Sequence, residues 1–151
     1  VARAVGQVPH PERLERRTRG FRRLGSLLPD ALYEHARGAG RDADSARVNA
    51  IFDDFDVLVT PVMCDTAVRV RRWEGRGALR TAIGMGRFYP FCVPWNHLGN
   101  PAMAVPFGFA ADGMPLSIQV IARHGNEATL LSLAAQIEAE RPWADKTPPL
   151  S

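Results

Sequence analysis

The side chains that could act as nucleophiles are few, and the thiols are the most reactive of them. Cys92 precedes His97 by five positions, and His124 is a further imidazole that folding could bring close to it. A thiol with such a base beside it can act as a nucleophile in acyl transfer. Because an unpaired cysteine is among the most buried residue types, we interpret Cys92 as a packed side chain and keep the thiol–imidazole pair as the alternative.

Zinc binding is a second chemistry that these residue types permit. Structural zinc sites usually take their ligands in closely spaced pairs. Around Cys64, Cys92 and His97 the chain has neither a CxxC nor an HxxxH pair. The glycines of Gly84-x-Gly86 lack the preceding strand of a phosphate-binding loop. We therefore predict no metal site and no cofactor.

The element that must position any site is a predicted β-hairpin. Residues 102–107 are apolar at every position, which is typical of a strand buried on both faces. Asp112-Gly113 predicts the turn, because glycine accepts the positive φ that such turns require. Residues 116–120 then alternate between apolar and polar with a period of two. Gln119 is the long polar side chain of this strand, and we interpret it as a partner for backbone groups rather than for substrate.

Helices and one further strand are predicted around the hairpin. Predicted helical segments are residues 10–24, residues 31–55 with interruptions at Gly38 and Gly40, residues 78–85 and residues 127–140. Asp30 and Asn126 are the expected N-caps of the second and last of these. Residues 56–60 predict a short strand that Pro61 ends. Its continuous apolar run indicates a central position in the sheet, as does that of residues 102–107.

Composition is that of an ordinary soluble globular protein. The chain has 151 residues, of which 46% are apolar and 23% are charged. It contains no apolar run near the roughly 20 residues that a membrane span needs. Two cysteines are too few for a disulfide framework, so reduced thiols and a cytoplasmic location are expected. The chain begins with Val1 rather than Met, and we interpret it as a fragment.

The positive charge is concentrated in the first third of the chain. Residues 1–50 contain ten arginines and six acidic residues (10 − 6 = +4), and the remainder contains nine basic and ten acidic residues (9 − 10 = −1). A basic arm of this kind could contact nucleic acid. Acidic residues are interleaved, however, and no aromatic platform accompanies the arginines. We interpret the arm as a solvated helix face and expect neither nucleic acid nor a membrane as a partner.

Taken together, the spacing of several short motifs resembles the amidase signature family. The matching residues, in order, are Asn96, Gly99 and Pro101-Ala102, then residues 105–108 (VPFG), residues 112–115 (DGMP) and Gln119. Residues 55–61 upstream and residues 127–143 downstream also fit. The resemblance covers roughly residues 50–148, and it rests on the combined spacing rather than on any single motif.

The resemblance implies a serine hydrolase that cleaves amide C–N bonds through an acyl-enzyme. That family uses a nucleophilic Ser, a second Ser and a Lys that accepts the proton. The serines of this chain are Ser26, Ser45, Ser117, Ser132 and Ser151, and none lies in a Gly- and Ser-rich cluster. The single lysine, Lys146, lies in a Pro-rich tail. The resemblance therefore implies the C-terminal part of an amidase whose catalytic residues lie in a missing N-terminal part.

The resemblance also implies a contribution to the substrate pocket. The segments expected at the substrate are residues 88–95 and residues 62–64, which are apolar and aromatic and would suit an uncharged substrate. From these segments we select Met63, Tyr89 and Cys92 as substrate-binding residues and assign no catalytic residue. An aromatic cluster that fills the core is the alternative for this region. Tyr89 also replaces the acidic residue that enzymes amidating transfer-RNA-bound amino acids carry at this position.

The sequence predicts an α/β fold in which part of a mixed β-sheet has helices packed on it. We expect residues 1–151 to form one incomplete domain, with a mainly helical lead-in (residues 1–55) and a strand, hairpin and helix segment (residues 56–151). A small-molecule amide and the missing N-terminal part are the expected partners, and a homo-oligomer is possible. The competing hypothesis is a non-catalytic, truncated interaction module.

Overall fold

A three-stranded antiparallel sheet organises the computed structural model, which describes residues 8–147. The strands are Val57–Pro61 (β1), Ala102–Phe109 (β2) and Pro115–Ala122 (β3), in the order β1-β3-β2. The sequence indicated central positions for β1 and β2. In the described sheet both are edge strands, because β3 pairs with each of them, and central positions in a complete sheet stay a prediction. The hairpin β2–β3 carries a register shift between Pro106 and Gly108, where Phe107 is the extra residue.

Six helices surround the sheet among the described residues. They are Arg16–Gly25 (α1), Asp30–Arg37 (α2), Ala39–Asn49 (α3), Ala78–Phe88 (α4), Val93–Leu98 (α5) and Glu127–Glu140 (α6), with 3₁₀ turns at Pro11–Arg13 and Ala50–Asp53. The predicted helix over residues 10–24 is thus a 3₁₀ turn followed by α1. The last predicted helix has the expected bounds.

Of the two predicted caps, Asn126 has the expected position and Asp30 does not. Asp30 is the first residue of α2, and Pro29 occupies the N-cap position. Asn126 is the N-cap residue of α6 but makes no capping hydrogen bond. Its side-chain oxygen instead accepts a hydrogen bond from the Thr129 hydroxyl at 2.7 Å. The last helix forms nonetheless, because Leu130 packs on the sheet, whereas no residue of α2 is buried.

Each face of the sheet is covered by a separate apolar cluster. On one face Val105, Val120 and Ala122 pack with Leu130 of α6. On the other face Ile121 packs with Phe52, Trp95 and Leu98, which come from the 3₁₀ turn and α5. Val120, Ile121 and Ala122 are fully buried because β3 has a strand on each side and helices above and below. The predicted α/β class, with helices packed on a sheet, is confirmed.

A third packing region joins α1 to α4 beside the sheet. Gly20 lies so close to α4 that an added Cβ would be 2.7 Å from the Cβ of Ala78. On α4, a Cβ added to Gly84 would overlap the ring of Trp73. Small residues on both helices therefore allow this close packing. None of the helices within residues 8–147 is long and apolar enough to cross a lipid bilayer.

Candidate functional site

The loop after β1 and the connection between α4 and α5 lie side by side. The backbone N–H of Cys64 donates a hydrogen bond to the Phe88 carbonyl at 3.1 Å. The thiol of Cys92 donates to the Val62 carbonyl at 3.3 Å. These two bonds join segments that are far apart in sequence. The segments that contain Met63, Tyr89 and Cys92 are therefore neighbours in the fold.

Tyr89 follows the last residue of α4 and lines a cavity of about 310 Å³. Its ring stands almost perpendicular to that of Phe88, with 4.7 Å between the centroids. The same cavity is lined by Phe21, Trp73 and Met85, which give it a largely apolar wall. Tyr89 is half-buried, so its ring is partly accessible from this cavity. That it binds a substrate there stays a prediction.

Cys92 is half-buried, and its thiol is used as a hydrogen-bond donor to the chain. The described contact of His124 is with a serine hydroxyl, since its Nε2 lies 3.2 Å from the Oγ of Ser45. His97 is exposed at the end of α5. These contacts favour the packed interpretation of Cys92 over the thiol–imidazole pair. Among residues 8–147, no three His, Cys, Asp or Glu side chains are grouped to hold a metal ion.

Gln119 is buried, and its described partner is a side chain of the neighbouring strand. The Thr60 hydroxyl donates to the Gln119 side-chain oxygen at 3.4 Å, and the two residues face each other across β1 and β3. The sequence interpretation named backbone groups as the partners. The described bond instead joins two side chains on the same face of the sheet, which gives Gln119 a role within the sheet.

A cluster of polar side chains that sequence reasoning did not single out joins α3 to the end of β3. Asn100 is buried and donates to the Ala122 carbonyl at 2.9 Å and to the Asn49 side-chain oxygen at 2.7 Å. Asn49 in turn donates to the Ser45 hydroxyl at 3.2 Å, the same hydroxyl that contacts His124. Because the buried member bonds to both elements, we interpret the cluster as a structural link.

The lysine and the serines of the described chain do not form a catalytic set. Lys146 is exposed, and its Nζ lies 3.8 Å from the Asp145 carboxylate. None of the hydrogen bonds described for residues 8–147 joins it to a serine. Ser132 contacts Gln136 on α6, and Ser151 lies outside the described residues. The resemblance implies a Ser-Ser-Lys set, and no such set is assembled in this part of the chain.

The fold places the motifs of the resemblance in consecutive elements. The Asn96 and Gly99 motif forms the end of α5, the Pro101-Ala102 step opens β2, and Asp112-Gly113 turns into β3. Gly99 and Gly113 have φ of 83° and 80°, a region that favours glycine. The model of the Amidase family matches residues 2–131, and the chain belongs to that family.

Relatives and solved structures support this assignment. The AmiB2 protein of Mycobacterium tuberculosis, which carries an amidase name, is 44% identical over 142 residues, covering 94% of this chain and 30% of that protein. An acylamidase of Rhodococcus erythropolis is 42% identical over 138 residues, covering 83% of this chain and 28% of that protein. A crystal structure of an amidase superposes with a TM-score of 0.77 at 26% identity, covering 92% of this chain and 32% of the amidase chain. The chain thus spans about 30% of the length of the curated relatives.

Proposed function

We propose that this chain is the C-terminal segment of an amidase-type hydrolase that cleaves amide C–N bonds through a serine acyl-enzyme. The observation that carries the proposal is the match of the Amidase family model over residues 2–131. The nucleophile and its base come from the part of the enzyme that precedes this segment. A free serine hydroxyl is a poor nucleophile, so the exposed Lys146 and the scattered serines give this chain alone no hydrolytic activity.

The contribution of this segment to the enzyme is sheet core and one wall of the substrate pocket. Met63, Tyr89 and Cys92 belong to neighbouring segments just beyond β1 and α4. Side chains at such ends can converge on a ligand without breaking the sheet. The apolar surroundings of Tyr89 support an uncharged small-molecule amide as the substrate. The enzyme acts in the cytoplasm and needs no cofactor in this proposal.

The missing N-terminal part is the partner that this segment requires. Phe107 and Phe109 at the end of β2 are 64% and 57% exposed, and the outer edge of β2 is unpaired within the described residues. Exposed aromatic side chains next to a free strand edge favour association with further chain. In the proposal, the rest of the enzyme packs against this end of the sheet.

The experiment joins the N-terminal part of the acylamidase of Rhodococcus erythropolis to this chain and measures kcat/KM on aryl and alkyl amides of graded size. We expect the completed enzyme to hydrolyse amides and this chain alone to hydrolyse none. Tyr89→Ala and Cys92→Ala should change the preference among substrates by roughly 10–200-fold for each methylene-sized change in the pocket. Tyr89→Phe keeps the ring and should change the preference less.

The control is Leu131→Ala, which truncates an exposed side chain of α6. Equal losses on every substrate that track a lower melting temperature would assign Tyr89 and Cys92 to the core instead of the pocket. Turnover by this chain alone that disappears in Cys92→Ala would favour a thiol mechanism and contradict the proposal. A joined protein that folds but hydrolyses nothing would favour an interaction module.

A further inference from the structure

A second cavity, of about 490 Å³, lies between α4 and the loop that precedes it. Its apolar lining comes from Trp73, Ile83 and Phe88. Four arginines also line it, namely Arg72, Arg76, Arg80 and Arg87. We call this site the arginine cavity. Met63, Tyr89 and Cys92 do not line it, although it shares Trp73 with the Tyr89 cavity and takes Cys64 and Phe88 from the segments expected at the substrate.

Helix geometry places half of the cavity on one face of α4. Arg80, Ile83, Gly84 and Arg87 are separated by three, four and seven positions, so they lie along the same side of the helix. With a rise of 1.5 Å per residue, the two arginines are roughly 10 Å apart along the axis. Ile83 lies between them and is half-exposed. The face therefore presents an apolar patch with a cation at each end.

The loop supplies the other half of the cavity. The Trp73 ring packs directly on Gly84, which has no side chain to displace it. The guanidinium of Arg72 lies over the same ring, 5.4 Å from its centroid, as in a cation–π contact. The aromatic ring thus fixes one of the cations. The cavity is held in place by packing between the loop and the helix.

The positive charges of this cavity outnumber the negative charges that line it within residues 8–147. Within residues 8–147, none of the four arginines has a carboxylate within 4.0 Å, although the adjacent Arg71 pairs with Glu74. Asp65 is the one acidic residue among the residues that line the cavity. The four arginines are exposed, so their mutual repulsion is screened, but their summed positive potential still attracts an anion. Guanidinium groups also match the oxygen atoms of carboxylates and phosphates with paired hydrogen bonds.

We propose that the arginine cavity binds an organic anion that carries an oxyanion group on a flat apolar body. Arg80 or Arg87 binds the oxyanion while the other adds positive potential, and Ile83 and Trp73 contact the apolar body. A carboxylate and a phosphate share this chemistry. Binding of the anion does not depend on catalytic residues, so the binding can be measured whether or not the protein hydrolyses amides.

The test measures binding to the purified protein by isothermal titration calorimetry with three probes that share one ring system. The probes are 2-naphthoate, 2-naphthyl phosphate and the neutral 2-naphthamide. We expect both anions to bind and the amide to bind at least tenfold more weakly, because only the anions form charge-assisted hydrogen bonds. Raising the salt concentration from about 0.1 M to 1 M shortens the screening length from about 10 Å to 3 Å and should weaken the anions only.

Variants assign the binding to this cavity. Arg80→Gln and Arg87→Gln should each weaken naphthoate binding by about tenfold, whereas Arg80→Lys should weaken it less because the charge is kept. Arg47→Gln, which removes an exposed arginine of α3 that pairs with Asp44, is the matched control. Circular dichroism verifies that each variant folds. Because these arginines are exposed, we expect the variants to fold as the wild type does.

Several results would overturn the proposal. Equal affinity for the naphthamide would mean that the apolar surface alone binds the ring. An equal loss in Arg47→Gln would mean a diffuse charge effect, and unchanged binding in both Arg80→Gln and Arg87→Gln would place the site elsewhere. Binding of a single-stranded oligonucleotide in place of the naphthyl anions would assign the arginines to nucleic acid.

Discussion

Replacing Gly84 with alanine tests the packing of Trp73 on α4. An added Cβ would overlap two atoms of the indole ring and lie 3.3 Å from Cε3, whereas non-bonded carbon atoms prefer about 3.5–4.0 Å. The ring, or the loop that carries it, must therefore move. Gly86 lies on the same helix, and a Cβ added there would have nothing within 4 Å. The two glycines form a matched pair that differs in this one contact.

The expected magnitude follows from two opposing terms. Alanine in place of glycine in a helix interior stabilises by roughly 0.8–1.0 kcal/mol, and this gain applies to both positions. Overpacking at Gly84 costs about 1–3 kcal/mol, and no such cost applies at Gly86. Gly86→Ala should therefore raise the free energy of unfolding. Gly84→Ala should lower the free energy of unfolding or leave it nearly unchanged. The two variants should differ by about 1–3 kcal/mol.

Thermal unfolding followed by circular dichroism measures this difference. One kcal/mol corresponds to roughly 2–4 °C in Tm for a chain of this size. A double-mutant cycle isolates the contact, because Trp73→Ala removes the ring that the new methyl group would meet. In that background Gly84→Ala should stabilise as much as Gly86→Ala does. Equal shifts of the two alanine variants in the wild-type background would refute the packing of Trp73 on Gly84.

Two further variants test the core link and the exposed edge. Asn100→Ala should lower the free energy of unfolding by about 1–3 kcal/mol, because it leaves the Ala122 carbonyl without its buried side-chain donor. The control Asn96→Ala replaces an exposed residue and should change the free energy of unfolding by less than about 0.5 kcal/mol. Urea denaturation measures both variants, and equal effects would contradict the buried link. Phe107→Lys should reduce self-association of this chain, because it places a charge on the free edge of β2. Size-exclusion chromatography would detect the change as a shift toward the monomer. An equal shift in Phe55→Lys would mean that general hydrophobicity, rather than the strand edge, drives self-association.

The elements that the sequence determined are those fixed by contacts between near neighbours. The β-hairpin follows from Asp112-Gly113, where the Asp112 side chain accepts a hydrogen bond from the Met114 N–H at 3.1 Å and Gly113 has a positive φ. The last helix, Glu127–Glu140, follows from a regular apolar stripe. The family resemblance could also be found from sequence, because its motifs lie in these local elements. The start of the last helix depends on tertiary packing as well, since Leu130 packs on the sheet and Asn126 makes no capping hydrogen bond.

What only the tertiary structure decided depends on residues that are distant in the chain. Strand order depends on which segments pair, and the apolar runs of β1 and β2 do not specify that both pair with β3. The link between Asn49 and Asn100, and the side-by-side placement of the Met63 and Cys92 segments, likewise depend on folding of the whole sheet. The arginine cavity is the clearest case. Each arginine alone is typical of a solvated side chain, and only the packing of Trp73 on α4 brings four of them around one apolar surface.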